Sequence, residues 1–378
     1  MINVLYAKQS EDRSGEFLTV DNILPLFSDA AGMLQEMEEK GKRVAWFFID
    51  PLIDHFEAGN RFYFEVMGCK SLPKINYYRT GAGPIHALAD AKLYIENGLC
   101  DAVAIFAYEP LYMCKKKLGG AAIRKAMDIF DGVNLISCYN RLAEQLCQEL
   151  GIQTEEFKKI SDALYDNYIR TYSALYGENS FSRDRGRMLE DMGGYLFHLT
   201  DCANPNVDFA GGMILCNDET YRAFNKEETH VVLDSAACKM VYGNPNKTAA
   251  ITENGEILPH LRKISEALEK ESGIRMKEEL DKDDLLLAAY TCYPTSPFGL
   301  LFACDLVRSV EEIYPFLERH EITVEGGMSL GRAPWNCSAF RNAILIAQKL
   351  SASSQHYGLV HGNGGMGETQ GLALFKRI

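Results

Sequence analysis

The chemistry this chain can offer is concentrated in glycine-rich stretches and scattered thiols and imidazoles. His361-Gly362-Asn363-Gly364-Gly365-Met366-Gly367 follows an apolar run, yet the chain ends at Ile378. That leaves no room for the helix, second strand and ribose-binding acid of a dinucleotide site. Gly327-Met328-Ser329-Leu330-Gly331 has the spacing of a hydrolase nucleophile elbow, but no Asp or Glu separates Ser329 from His356 or His361. The acid-then-histidine order of such a triad is therefore missing. Neither Gly-Lys-Ser/Thr nor His-Glu-x-x-His occurs, which removes the commonest phosphate-loop and zinc-protease readings. What the glycines can supply is close backbone approach and exposed N–H groups, suited to an oxyanion or a thioester carbonyl.

The 11 cysteines include no Cys-x-x-Cys pair, so no metal framework is expected. Many lie inside apolar runs such as Ile214-Leu215-Cys216 and Leu301-Phe302-Ala303-Cys304. They read as reduced thiols packed as small hydrophobes. Cys337 stands where a helix is expected to begin, and helix N-terminal N–H groups lower a thiol pKa. It is a candidate nucleophile. His55, His86, His198, His230, His260, His320 and His356 show no cluster spacing.

These groups must be positioned by alternating strands and helices. Val44 to Ile49 and Ala102 to Ala107 are apolar throughout and read as buried strands, with a helix between them from about Pro84 to Glu96. Pro in the first turn and Gly98 just past the end are the expected start and stop signals. Near the C-terminus the loop Glu325 to Gly331 leads to a helix from about Asn336 to Leu350 and a strand near Tyr357 to His361. Strand, helix, strand is a unit of parallel sheet, and its recurrence suggests two halves of an internal duplication. Between them, residues 115–200 carry helical patterns (Asn140 to Leu150, Thr154 to Tyr168) and the run Lys115-Lys116-Lys117, as an inserted cap would. Asp208 to Cys216 returns to a buried strand, and Leu258 to Glu271 is an amphipathic helix. The expected division is 1–114 with 201–250 as one half, 115–200 as insertion and 251–378 as the other half.

Composition narrows the function class. The 378 residues carry a net charge of −13, which argues against sequence-independent nucleic-acid binding and against docking on an anionic membrane surface. No apolar run reaches the length of a membrane span, and Met1 to Lys8 lacks the basic flank of a signal peptide. A cytoplasmic protein is expected.

Five blocks, in order, resemble the thiolase superfamily, nearest to its sterol-carrier-protein-x type and acetyl-CoA-acetyltransferase-like relatives. Ile75-Asn76-Tyr77-Tyr78-Arg79-Thr80-Gly81-Ala82-Gly83 is similar to the nucleophile loop, and Asp208-Phe209-Ala210-Gly211-Gly212 to an Asp-Gly-Ala-Ala-Ala strand. Tyr290-Thr291-Cys292-Tyr293-Pro294 is similar to a pocket loop that carries Asn or His in active thiolases. Gly326-Gly327-Met328-Ser329-Leu330-Gly331-Arg332 sits where the family has Gly-Gly-x-x-x-Gly-His-Pro. His361 to Gly367 stands in place of Cys-x-Gly-Gly-Gly-x-Gly.

The resemblance implies an α/β fold of thiolase type, five αβαβα layers in two similar halves, and a homodimer. It also marks the departures. The nucleophile position falls on Thr80, or on Arg79 if the loop shifts by one; the activating His on Arg332; the second Cys on His361; the Asn/His position on Tyr290. Classical thiolase chemistry is not expected, because a hydroxyl needs a strong adjacent base and a guanidinium cannot be one. The expected remnant is a thiolase-like acyltransferase acting on a CoA or carrier-bound thioester, with the CoA thioester as substrate and no covalently bound cofactor. His361 would be acid/base; Thr80, Cys337 or Cys292 would accept the acyl group. Backbone N–H groups of Gly81–Gly83 and Gly364–Gly367 would hold the oxyanion. Arg332, Tyr290, Gly81, Gly83, Asn363, Gly364 and Gly365 would bind substrate, and Lys115 to Lys117 would meet a CoA phosphate. The alternative is a non-catalytic thiolase-like subunit that binds acyl-CoA or scaffolds an active partner, such as a thiolase or a small zinc-ribbon/OB-fold protein.

Overall fold

The structure is a computed structural model that describes residues 1–16, 20–53, 58–71, 73–126, 128–130, 133–178, 180–182, 184–185, 194, 196–225, 230–241, 252–253 and 256–378. His55 and the expected division at 250 lie outside the described residues. The strands of the main sheet are β1 (Asn3–Asp12), β2 (Val44–Ile49), β3 (Ile75–Tyr78), β4 (Ala102–Glu109), β5 (Asp208–Cys216), β6 (Val231–Met240), β7 (Leu285–Ala288), β8 (Tyr357–Gly364) and β9 (Thr369–Arg377). The helices used below are α1 (Val20–Glu39), α2 (Gly83–Glu96), α3 (Leu111–Leu118), α4 (Leu135–Leu150), α5 (Thr154–Tyr176), α6 (Pro259–Ser272) and α7 (Ser338–Ala352).

The strands pair in the order β7-β8-β9-β6-β1-β5-β4-β2-β3. Within it the same pattern occurs twice. β2 and β4 are parallel, and β4–β5 and β5–β1 antiparallel. Likewise β7 and β8 are parallel, and β8–β9 and β9–β6 antiparallel. The halves meet where β1 touches β6, pairing Asn3 with Val232. Helix α2 packs on β2, β3 and β4 and also on β6, β8 and β9, while α7 packs on strands of both halves. Helix α1 packs on strands of the first half and α6 on strands of the second. The result is the expected α/β arrangement of five αβαβα layers, with α2 and α7 in the middle.

Residue type accounts for this layering. A strand covered on both faces must be apolar throughout, and every residue of β5 is buried. Gly211 and Gly212 let the helices close on it. A Cβ on Gly211 would lie 2.9 Å from Ile344 of α7, and one on Gly212 would lie 2.9 Å from Phe27 of α1. The pairing also reassigns one strand. β6 falls in the segment 201–250 expected with the first half, yet it pairs along its length with β9 of the second. The described residues between 115 and 200 are mostly helical, chiefly α4 and α5. The cysteines are free thiols, most of them buried, and no helix among the described residues is long and apolar enough to cross a membrane.

A buried charge cluster anchors the loop that precedes α7. Arg341, 1% exposed, lies 3.3 Å from Glu11 and 3.5 Å from Glu325, and its Nη1 donates to the Gly331 carbonyl at 3.0 Å. Arg13 donates to the same carbonyl at 3.1 Å. Burial pushes the Glu325 carboxyl up, and the Arg341 charge opposes that shift. Removing one partner of such a cluster leaves buried charge uncompensated. Arg341→Leu is expected to lower the unfolding free energy by about 3–5 kcal/mol, read from urea denaturation; a change below about 1 kcal/mol would show that the cluster does not hold the loop.

Candidate active site

The site forms where the two central helices begin. Ahead of α2, Thr80 adopts φ +79°, a left-handed conformation that a β-branched residue rarely takes. The Gly83 N–H donates to the Thr80 carbonyl at 3.0 Å and closes the turn. This leaves the N–H groups of Gly81 and Ala82 without partners among the described residues, at the end of α2 where the helix dipole favours negative charge. Gly81 has no room for a side chain, because a Cβ there would lie 2.2 Å from Tyr290 Oη and 2.3 Å from the Asn363 carbonyl. Gly364 is equally restricted: its Cβ would lie 2.5 Å from Thr80 Oγ1.

A cavity of about 330 Å³ opens here. It brings together Thr80, Gly81, Tyr290, Cys292, Asn363, Gly364 and Gly365 from the expected set. Sequence reasoning missed Tyr139, Tyr293, Met328, Trp335 and Asn336 on its walls, and Arg79 at its rim appeared only as an alternative register. Arg79 is 63% exposed on its side chain and pairs with Asp50 at 3.1 Å. Tyr139, from α4, stacks on Tyr293 with ring centroids 4.1 Å apart. An aromatic in an amphipathic helix carries no sequence signal beyond core packing.

Behind the cavity runs a directed hydrogen-bond chain. The Tyr290 N–H donates to His361 Nδ1 at 3.3 Å, and His361 Nε2 in turn donates to Gln370 Oε1 at 2.8 Å. Gln370 Nε2 donates to Asn363 Oδ1 and, at 3.1 Å, to the Gly367 carbonyl. Asn363 Nδ2 donates to Tyr139 Oη at 2.8 Å and reaches Cys292 Sγ at 3.5 Å. Tyr139 Oη completes the chain by donating to the Gly365 carbonyl at 2.8 Å. Gln370 is the second residue of β9, beside Thr369, where a polar residue at a strand end carries no signal of its own.

Three expectations are corrected by this geometry. His361 is fully buried, is absent from the cavity wall, and has both ring nitrogens engaged. Burial lowers its pKa to about 4, and its bond to Gln370 only partly opposes that. It is held neutral at pH 7 and turned away from the cavity. Arg332 also turns away: its Nη1 donates to the carbonyls of Arg13 at 2.8 Å and Asn206 at 2.6 Å. Cys337 precedes α7 as expected, but it is fully buried and off the cavity wall. Burial, with Glu109 and Asp50 nearby, pushes its thiol well up and outweighs the helix terminus. Gly83 is buried in the first turn of α2, against Tyr78.

Cys292 does face the cavity, yet burial pushes its thiol up to about 12. Tyr290 and Tyr139 are likewise held well above the ordinary phenol range by burial. Among the described residues no carboxylate and no imidazole lines the cavity.

Comparison with solved structures gives the same architecture. Over 99% of this chain and 77% of the other, it superimposes with a TM-score of 0.68 and 15% identity on a monomeric SCP2-thiolase like protein type 1 from Mycobacterium smegmatis. A second match, described as an Ltp2-ChsH2(DUF35) aldolase, has a TM-score of 0.65 and 14% identity over 99% of this chain and 97% of the other. The fold is thiolase-like. No protein-family model matches the sequence, and no curated protein does. The thiolase-like frame is thus retained at an identity too low to carry the chemistry with it.

The buried imidazole gives a pH signature. In the unfolded chain a histidine takes up a proton near pH 6.5, whereas His361 in the fold does so only near 4. The unfolded state therefore binds the extra proton between these values, and stability falls as pH drops through that window. The loss attributable to this residue is of the order of 3 kcal/mol. His361→Gln should flatten the dependence of urea stability on pH between about 4 and 6.5; an unchanged slope would show that His361 titrates normally.

Proposed function

We propose that this chain is a thiolase-like subunit that holds an acyl thioester, on CoA or a carrier, without forming an acyl-enzyme. The observation that carries the reading is the cavity wall. Thr80 and Cys292 face the cavity, but neither a carboxylate nor an imidazole among the described residues is there to take a proton from them. A threonine hydroxyl needs such a base, and a thiol near 12 stays protonated at neutral pH.

Binding is better provided for. The thioester carbonyl would accept from the Gly81 and Ala82 N–H groups at the start of α2. The acyl group would lie against Tyr293, Met328 and Leu135, and Arg79 at the rim would meet a phosphate. A subunit of this kind would act with a partner. The neighbour described as an Ltp2-ChsH2(DUF35) aldolase supports looking for a partner, and a small zinc-ribbon/OB-fold protein or an intact thiolase is the partner the family resemblance implies. A homodimer, as the family resemblance implies, is the other association to test.

The test is intact-protein mass spectrometry combined with calorimetry on acetyl-CoA and butanoyl-CoA. Expected are measurable binding, no acyl adduct, and loss of binding in Gly364→Val with circular dichroism unchanged. An adduct that disappears in Cys292→Ala or Thr80→Ala would instead establish covalent acyl transfer. Absence of binding by the native chain would overturn the thioester reading.

A further inference from the structure

A second cavity, of about 480 Å³, adjoins the first and shares Ala203, Tyr293 and Trp335 with it. Trp335 is held at φ +39°, a conformation costly for a bulky side chain. Trp335 thus borders both spaces in a strained backbone conformation. Beyond it the walls are largely apolar, from Ile136, Tyr165, Leu199 and Leu330. Four polar side chains break that character: Thr200, whose Oγ1 donates to the Arg185 carbonyl at 2.7 Å, Asn204, whose Oδ1 accepts from the Asn206 N–H at 3.1 Å, Ser329 and Lys115. Ser329, 8% exposed, lines the cavity with an Oγ that has no hydrogen-bond partner among the described residues. A buried hydroxyl without a partner is costly unless something else completes it. Lys115 is the only cation among the described lining residues, and its Nζ donates to Asn206 Oδ1 at 2.6 Å, which holds it in place. No Asp or Glu among the described residues lines this cavity to neutralise it.

An apolar chamber with a free hydroxyl donor, a cation and no anion complements a chain that is apolar along its length and carries an anionic acceptor at its end. We propose that the second cavity receives the distal part of an acyl group that ends in a carboxylate, with Ser329 and Lys115 as its contacts and Trp335 beside the chain at the crossing. This rests on the thioester-binding reading and names the substrate class: ω-carboxyacyl thioesters rather than simple fatty acyl thioesters. Cys202 on the same wall takes no part, since burial pushes its thiol well up and its Sγ points to the His198 carbonyl at 3.8 Å.

The experiment compares butanoyl-CoA, octanoyl-CoA and octanedioyl-CoA by calorimetry and by tryptophan fluorescence. Trp46, the other tryptophan, is buried against Tyr63 and Phe106 away from both cavities. A ligand-dependent change that vanishes in Trp335→Phe therefore reports the crossing. Octanedioyl-CoA should bind roughly tenfold more tightly than octanoyl-CoA, and Ser329→Ala and Lys115→Gln should each remove most of that margin, Ser329→Ala while leaving butanoyl-CoA unaffected. Equal affinity for the two eight-carbon ligands, or equal losses for all three in the variants, would overturn the proposal. If butanoyl-CoA fails to bind, the thioester reading falls on its own. Free octanedioate then decides the second cavity: a Trp335 signal that depends on Ser329 and Lys115 supports it, and no signal rejects it.

Discussion

The hydrogen-bond chain from the Tyr290 amide to the Gly365 carbonyl is the interaction on which the rest of the site depends. Each donor in it has an acceptor placed to receive it, and the direction of the bonds follows from the first. Because the Tyr290 N–H occupies His361 Nδ1, the ring proton must sit on Nε2, and that orients the Gln370 amide. Gln370 then orients Asn363, and Asn363 orients Tyr139. All of these side chains are buried, where an unmatched polar group is expensive. The chain ties β8, β9, α4 and the loop after β7 into one rigid wall. It also spends the lone pairs that acid–base work would need.

The internal duplication explains why this wall stands where it does. Each half delivers one central helix, and the turn before each helix opens onto the same cavity. Thr80 precedes α2 in a left-handed conformation, and Trp335 precedes α7 in another. Strain of this kind persists only where the surroundings hold it. Here those surroundings include Gly81 pressed on Tyr290 and Asn363, and Gly364 pressed on Thr80. The fold therefore holds a shaped, strained pocket with no carboxylate or imidazole among its described lining residues. The proposed binding role fits this wall, since shape and amide donors would be enough to hold a thioester but not to attack it.

Much of the frame was legible in the sequence because it follows from local pattern. An all-apolar run such as Val44 to Ile49 can only be a covered strand, and Pro84 with Gly98 brackets a helix whatever lies around it. The glycine-rich loops were legible for the same reason: a site where backbones touch excludes side chains, and that exclusion is written as glycine. The assignment of β6 was not legible, because pairing with β9 instead of an N-terminal strand is a long-range choice between similar apolar segments.

Residue roles divide along the same line. The sequence alone determined the element order, the glycine loops and the lack of a metal or nucleotide motif. Only the tertiary structure decided that His361 faces Gln370 rather than the cavity, that Arg332 clamps two carbonyls, and that Cys337 is sealed in the core. Tyr139 and Trp335 likewise became cavity walls only on folding. A side chain's type sets what it can do, but its pKa and its partners depend on burial and on groups far away in the chain. Those are supplied by packing, which no local pattern encodes.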